Sequence, residues 1–231
     1  MKKKKIVVFS GAGMSAESGI KTFRDAGGLW EEFKIEEVAT YEAWTKNQKL
    51  VLDFYNQRRK QVMEAAPNEA HKLVAELQKK FDVQVVTQNI DDLHERAGSK
   101  KVLHLHGEIM KSRSSISNHL IYDLKEWEIK QGDLSEDGSQ LRPHIVWFGE
   151  AVPEMDTATA LTEQADIFIT IGTSLNVYPA ANLIHVVDSS TPKFLIDPED
   201  FNLDYIKNLT VIKAKAVEGM EILIKKLNEY I

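Results

Sequence analysis

The chain has 231 residues, 43% hydrophobic and 28% charged, with a formal net charge of -6. That balance describes a folded globular protein and weighs against a nucleic-acid surface as its main role, while mild acidity still suits lysine-rich partners. The absence of cysteine excludes disulfides, thiolate nucleophiles and cysteine-based zinc sites.

Lysines at 2–5 precede an apolar run at 6–9 that is too short for a signal-peptide core and ends in a glycine loop. No apolar run approaches membrane-spanning length, so the expected location is cytoplasmic, with neither membrane nor nucleic acid as partner. Residues 6–9 read as a strand buried on both faces, with a helix expected at 15–18. Residues 36–66 read as one helix with Leu50, Val51, Phe54, Tyr55, the Arg58 stem and Val62 on a common face, ended by Pro67. Another helix covers 68–80.

Strands follow at 83–86, 102–105, 145–148, 167–171, 194–196 and 210–212, with helices at 155–163, 180–187 and 217–230. This alternation indicates an α/β fold, a Rossmann-like doubly wound parallel sheet. The polar stretch 110–141 breaks the alternation and reads as an inserted module, partly helical over 123–130. The expected division is a sheet domain over 1–35, 68–109 and 142–231, and a small module over 36–67 and 110–141. No unpaired apolar helix face stands out, which points to a monomer.

Four segments carry chemistry. Gly11-Ala-Gly-Met-Ser-Ala16 fits G-x-G-x-x-A between a strand and a helix. Gly11 permits the turn, Gly13 lets the backbone approach a pyrophosphate, and the helix N-terminus faces the anion. The plainer reading is a glycine turn without a ligand. No acidic residue ends a second strand about 20 residues on, as an ordinary dinucleotide unit would have.

Thr87-Gln-Asn-Ile-Asp91 follows a strand. Asn89 can bond a ribose or orient a water and Asp91 can accept from a carboxamide, or either can cap a helix at 92–97. His104 and His106 lie two apart at a strand end. They are a metal pair lacking further ligands, satisfied core histidines, or, for His106 beside Gly107, a general base. Gly172-Thr-Ser174, with Asn176, is a close nucleotide-contacting turn or an ordinary one. Val146-Trp-Phe-Gly-Glu150 is a core strand or offers backbone groups to an extended peptide.

Together with Phe23-Arg-Asp25 and Arg142-Pro-His-Ile-Val-Trp-Phe-Gly-Glu150, these segments resemble the sirtuin family of NAD-dependent protein lysine deacylases over nearly the whole chain. The resemblance implies NAD as cofactor and acyl-lysine proteins or peptides as substrates. It implies that Ala12, Gly13, Ser15, Phe23 and Arg24 line the NAD pocket, with Glu17 behind them. Gln88, Asn89 and Asp91 would hold the nicotinamide ribose and carboxamide. Gly172, Thr173, Ser174, Asn176 and Val177 would contact the adenosine half. His106 would be the base, and Phe148, Gly149 and Glu150 would pair with the substrate backbone.

In the implied reaction the acyl oxygen attacks the nicotinamide ribose carbon and nicotinamide leaves. His106 then deprotonates a ribose hydroxyl, and the products are free lysine, nicotinamide and O-acyl-ADP-ribose. Tyr55 and Arg58, at i and i+3 on a helix, and Ala39 match the positions where a subset of the family recognises acidic acyl groups. The plainer reading is an amphipathic pair on a surface helix.

The chain departs from the family where two cysteine pairs usually hold a structural zinc. Ser114 and Ser117 stand near one pair's places and Leu134 and Asp137 near the other's, and no structural zinc is expected. Ile116, Leu120, Ile121, Tyr122, Leu124 and Trp127 are expected to form a replacement core. Lys21 stands where proline is common. The competing activities are NAD glycohydrolase or ADP-ribosyl transfer, and a non-catalytic NAD or ADP-ribose sensor.

Overall fold

The computed structural model describes residues 3–22, 33–173, 175, 177–200 and 202–230. Six parallel strands form the main sheet: β1 (Lys5–Ser10), β2 (Asp82–Thr87), β3 (Val102–His104), β7 (Ile167–Ile171), β8 (Lys193–Ile196) and β9 (Leu209–Ile212), in spatial order β3-β2-β1-β7-β8-β9. Val8 lies opposite Val85 on one side and Ile169 on the other. Because side chains alternate across a strand, Ile6 and Val8 face one layer and Val7 and Phe9 the other. All four are fully buried.

The first layer packs Ile6 and Val8 against Ala70, Val74 and Leu77 of helix α5 (Glu69–Leu77) and against Met220, Leu223 and Leu227 of helix α9 (Ala216–Leu227). The second packs Val7, Phe9 and Phe168 against Ala158 of helix α7 (Met155–Glu163) and Leu183 and Ile184 of helix α8 (Leu183–Val186). Helices on both faces explain why the strands are nearly continuous apolar runs. This is the doubly wound α/β architecture expected from the alternation.

A second, antiparallel sheet joins β5 (Ile121–Asp123), β4 (Gly107–Ser114) and β6 (Leu141–Ile145) in the order β5-β4-β6. It corrects two expectations. The strand read at 145–148 is not in the parallel sheet: β6 ends at Ile145 and pairs with β4. The segment 123–130 is not helical beyond its strand residue Asp123. Its backbone is satisfied from outside instead: Asn56 Nδ2 donates to Ile129 O (2.9 Å), Ile129 N donates to Asn56 Oδ1 (2.9 Å), and Arg59 Nη1 donates to Trp127 O (2.7 Å).

The single helix read over 36–66 is three: α2 (Ile35–Val38), α3 (Tyr41–Lys46) and α4 (Gln48–Glu64). Thr40 caps α3 by accepting from Ala43 N, and Asn47 caps α4 by accepting from Leu50 N. Cap side chains compete with helix continuation, so each breaks the run. These helices share one hydrophobic cluster with Ile109, Ile129, Ile145 and Trp147.

The expected replacement core in the insertion is also corrected. Ile116 is 77% exposed, and Ile121 and Trp127 are exposed as well, while Leu124 packs on the shared cluster. Polar groups tie the turns together there. Ser114 Oγ donates to Asp137 Oδ2 (2.5 Å), accepts from Ile116 N and Ser117 N, and lies 2.9 Å from Ser139 Oγ; Tyr122 Oη lies 2.9 Å from Ser135 Oγ. Among the described residues no group of three or more His, Asp or Glu is arranged to hold a metal ion, and no helix is long and apolar enough to cross a membrane.

Candidate active site

From β1 the chain runs to β2 and β3, then returns to the far side of β1 as β7. The carboxyl ends of β1 and β7 therefore border the crevice where such sheets bind ligands. Their two loops interlock: Gly11 N donates to Ile171 O (3.0 Å) and Gly13 N to Gly172 O (2.9 Å). A Cβ on Gly13 would lie 2.7 Å from Gly172 Cα, and one on Gly172 (φ +60°) would overlap the Met14 nitrogen. The immediate reason for glycine at these places is contact between the two loops. Helix α1 (Gly13–Ala16) starts in this loop, two residues earlier than expected.

A cleft of about 390 Å³ opens here. Ala12, Gly13, Gly172, Thr173 and Val177 line one end, Gln88, Asn89 and His106 the middle, and Ala39, Tyr55, Arg58, Phe148, Gly149 and Glu150 the other end. Ser15 and Asp91 line a smaller adjoining cavity that also touches Asn89 and Arg58, and Gly11 lines neither. Phe23, Arg24, Ser174 and Asn176 lie outside the described residues.

The centre is built by hydrogen bonds that leave defined groups unspent. Thr173 Oγ1 donates to Gln88 Oε1 (2.9 Å), and Gln88 Nε2 is buried without a partner among the described residues. That orphaned donor is suited to a ligand oxygen. His106 Nδ1 lies 3.1 Å from the Gln88 carbonyl, which fixes it as the protonated nitrogen and leaves Nε2 as the basic one. Burial lowers the His106 pKa below 6.5, partly offset by that carbonyl.

His104 differs although it is two residues away. Its Nδ1 meets Asn89 O (2.8 Å) and its Nε2 meets Glu95 Oε1 (2.9 Å). Burial opposes its charge, but the bond and charge of Glu95 outweigh it and raise the pKa. The two histidines therefore differ: His106 is held toward the neutral form with Nε2 as its basic nitrogen, while both ring nitrogens of His104 are tied to protein oxygens.

Asp91 serves two purposes. Its Oδ1 accepts from Leu93 N (3.2 Å), the first residue of α6 (Leu93–Arg96), from the position before the N-cap residue Asp92. Its Oδ2 accepts from Ser15 Oγ (3.0 Å), to which Asn89 Nδ2 also donates (3.1 Å). Burial raises the Asp91 pKa, with the Leu93 and Ser15 bonds opposing.

At the far end, Glu150 is committed internally. Its carboxylate accepts from Arg142 Nη1 (2.8 Å), Arg142 Nη2 (3.1 Å) and Trp147 N (2.8 Å). Phe148 N donates to Ala39 O (3.0 Å) and Glu150 N to Trp147 O (3.0 Å). The N–H groups of Phe148 and Glu150 are thus spent within the protein, which narrows the expected backbone pairing of Phe148, Gly149 and Glu150 to their carbonyls and the Gly149 N–H. Trp147 Nε1 donates to Tyr55 Oη (3.1 Å), and Arg58 lies over the Phe54 ring at 5.6 Å.

Sequence reasoning missed Asp197, Pro198 and Glu199, which line the cleft immediately after β8. The rule that ligands sit at strand carboxyl ends, applied to 194–196, would have found them.

A cleft at the switch point of a parallel sheet, with an unspent amide donor beside a neutral histidine, defines a dinucleotide-using α/β enzyme. Comparison with known proteins agrees. A Sir2 family profile matches residues 11–179. An NAD-dependent protein deacylase of Bacteroides thetaiotaomicron is 55% identical over 94% of this chain and 95% of its own length. One of Helicobacter pylori is 53% identical over 98% of both. A solved Sir2 homologue in complex with NAD is 38% identical, with a TM-score of 0.87 over 99% of this chain and 91% of its own. The chain belongs to the Sir2 family.

Proposed function

We propose that the protein is an NAD-dependent protein lysine deacylase, and that acyl groups ending in a carboxylate, such as succinyl and malonyl, are among its substrates. The observation that carries the reading is one continuous cleft, running from the glycine loops past His106 to the Tyr55–Arg58 pair. The relatives named NAD-dependent protein deacylase and the Sir2 homologue–NAD complex support the cofactor.

Bound NAD supplies an activated ribose carbon and nicotinamide as leaving group. The residues fit it. Gln88 Nε2 is a buried donor that needs an acceptor, and the Asp91–Ser15–Asn89 cluster offers a carboxamide and ribose hydroxyls both donors and acceptors. His106 Nε2 receives the proton of a ribose hydroxyl. Phe23, Arg24, Ser174 and Asn176 are assigned to the NAD pocket on family likeness. Gly149 and the neighbouring carbonyls hold the peptide. Ala39 leaves room at the acyl end, where Arg58 binds a terminal carboxylate.

An acyl series tests the finer part. Arg58→Met should lower the ratio of desuccinylation to deacetylation at least tenfold, since a charged hydrogen bond is lost. Equal losses on both substrates contradict it.

A further inference from the structure

Two hydroxyl lone pairs and one hydroxyl proton are available to Tyr55, and the direction in which that proton points decides what the acyl end of the cleft recognises. An indole N–H only donates. In the 3.1 Å contact with Trp147 Nε1, Tyr55 is therefore the acceptor, with no ambiguity of orientation. Tyr55 is 4% exposed, and among the described residues the one hydrogen-bond partner of its hydroxyl is Trp147 Nε1, which leaves the hydroxyl proton unused. A buried hydroxyl needs a partner. The remaining direction for the proton is the cleft that Tyr55 lines beside Arg58.

Trp147 is itself held. It is 2% exposed, its ring lies 3.2 Å from the Arg142 guanidinium carbon and 5.8 Å from the Trp44 ring, and its N–H backbone group is fixed by Glu150. Burial also pushes the Tyr55 pKa up to about 12, against the opposing effects of Arg58 and Trp147, so the hydroxyl keeps its proton at neutral pH.

We infer that Trp147 is a specificity-determining positioning residue: by donating to Tyr55 it turns the Tyr55 hydroxyl into a donor aimed at the acyl end, which selects acyl groups that finish in an acceptor-only carboxylate. The inference rests on the carboxylate reading of Tyr55 and Arg58. Trp147 acts through Tyr55 and without touching the reacting atoms, so its effect belongs in KM and in acyl selectivity rather than in kcat.

The test is Trp147→Phe, which keeps an aromatic ring and deletes the N–H, assayed with one peptide in succinyl-lysine and acetyl-lysine forms. The succinyl-to-acetyl ratio of kcat/KM should fall about five- to tenfold, carried by KM, as expected for one hydrogen bond. Tyr55→Phe should lower the ratio similarly, and the double variant no further, because both remove one chain of bonds. Replacing Trp147 by its sulfur isostere 3-benzothienylalanine, which preserves shape, gives the same readout if the phenylalanine variant does not fold. A ratio unchanged by either Trp147 replacement, but lowered by Tyr55→Phe and Arg58→Met, overturns this inference and leaves the carboxylate reading intact. A ratio that none of the variants moves removes both.

Discussion

The base role proposed for His106 follows from what surrounds one ring. The Gln88 carbonyl holds the proton on Nδ1, and burial keeps the imidazole neutral below the ordinary value of 6.5. The acid limb of kcat/KM should therefore fall below pH 6.5, with a plateau above it, provided the protein stays folded. His106→Asn should reduce turnover by about 10²–10⁴-fold. A variant retaining full turnover, or an acid limb well above 6.5, would reject His106 as the base. The positions of Gln88, Asn89 and His106 were legible because strand ends mark them. The use of Glu150 was not, because its partner Arg142 is eight residues away and meets it only across a folded turn. The division of labour between His104 and His106 was equally hidden, since it depends on Glu95, distant in sequence from both.

Among the elements, α4 does most to bind the inserted segment. Its apolar face was readable from periodicity, and Val51, Phe54, Tyr55 and Val62 are buried as expected. The polar residues Asn56 and Arg59 on the same helix look like solvent-facing residues in a sequence, yet both are buried. Arg59 is fully buried and has no carboxylate partner among the described residues. Its Nε donates to Ile109 O (2.6 Å) and its Nη1 to Asn56 and Trp127 O. Burial lowers its pKa to about 10, so it remains charged at neutral pH.

Arg59 thereby satisfies the backbone carbonyls of Ile109 in β4 and of Trp127 in the inserted segment. Arg59→Met leaves those carbonyls unpaired and should cost about 2–4 kcal/mol. A urea unfolding midpoint equal to that of the wild type would show that the bonds contribute nothing. The same contacts explain the wrong expectation of a helix at 123–130: side chains from α4 replace the local ladder, a tertiary effect that local propensity does not carry.

At the scale of the whole molecule, the parallel sheet was legible because strands buried on both faces are continuous apolar runs. The antiparallel sheet was not, since β4 reads Gly107-Glu-Ile-Met-Lys-Ser-Arg-Ser114 and carries little apolar alternation. The folded chain also holds most of its histidines away from protonation. Burial lowers His71 and His144 to about 4, His94 well below its ordinary value, and His106 as well; only His104 is raised. The unfolded chain therefore binds more protons than the folded one below pH 6.5. The four lowered groups contribute stability that is present above pH 6.5 and lost as pH falls toward 4. His104 acts in reverse, its contribution being full below 6.5 and lost as pH rises through its raised value. The net expectation is a denaturant midpoint that declines between pH 6.5 and 4, and a flat or rising midpoint there contradicts it.

The central claim is that this cleft couples cleavage of NAD to removal of an acyl group from lysine. The most direct measurement is nicotinamide release by the purified protein with NAD and one lysine peptide in acetylated, succinylated and unmodified forms. Release that depends on acylation, and is strong with the succinylated peptide, is the predicted result. Equal release with the unmodified peptide would contradict it and mark the protein as a glycohydrolase or ADP-ribosyltransferase.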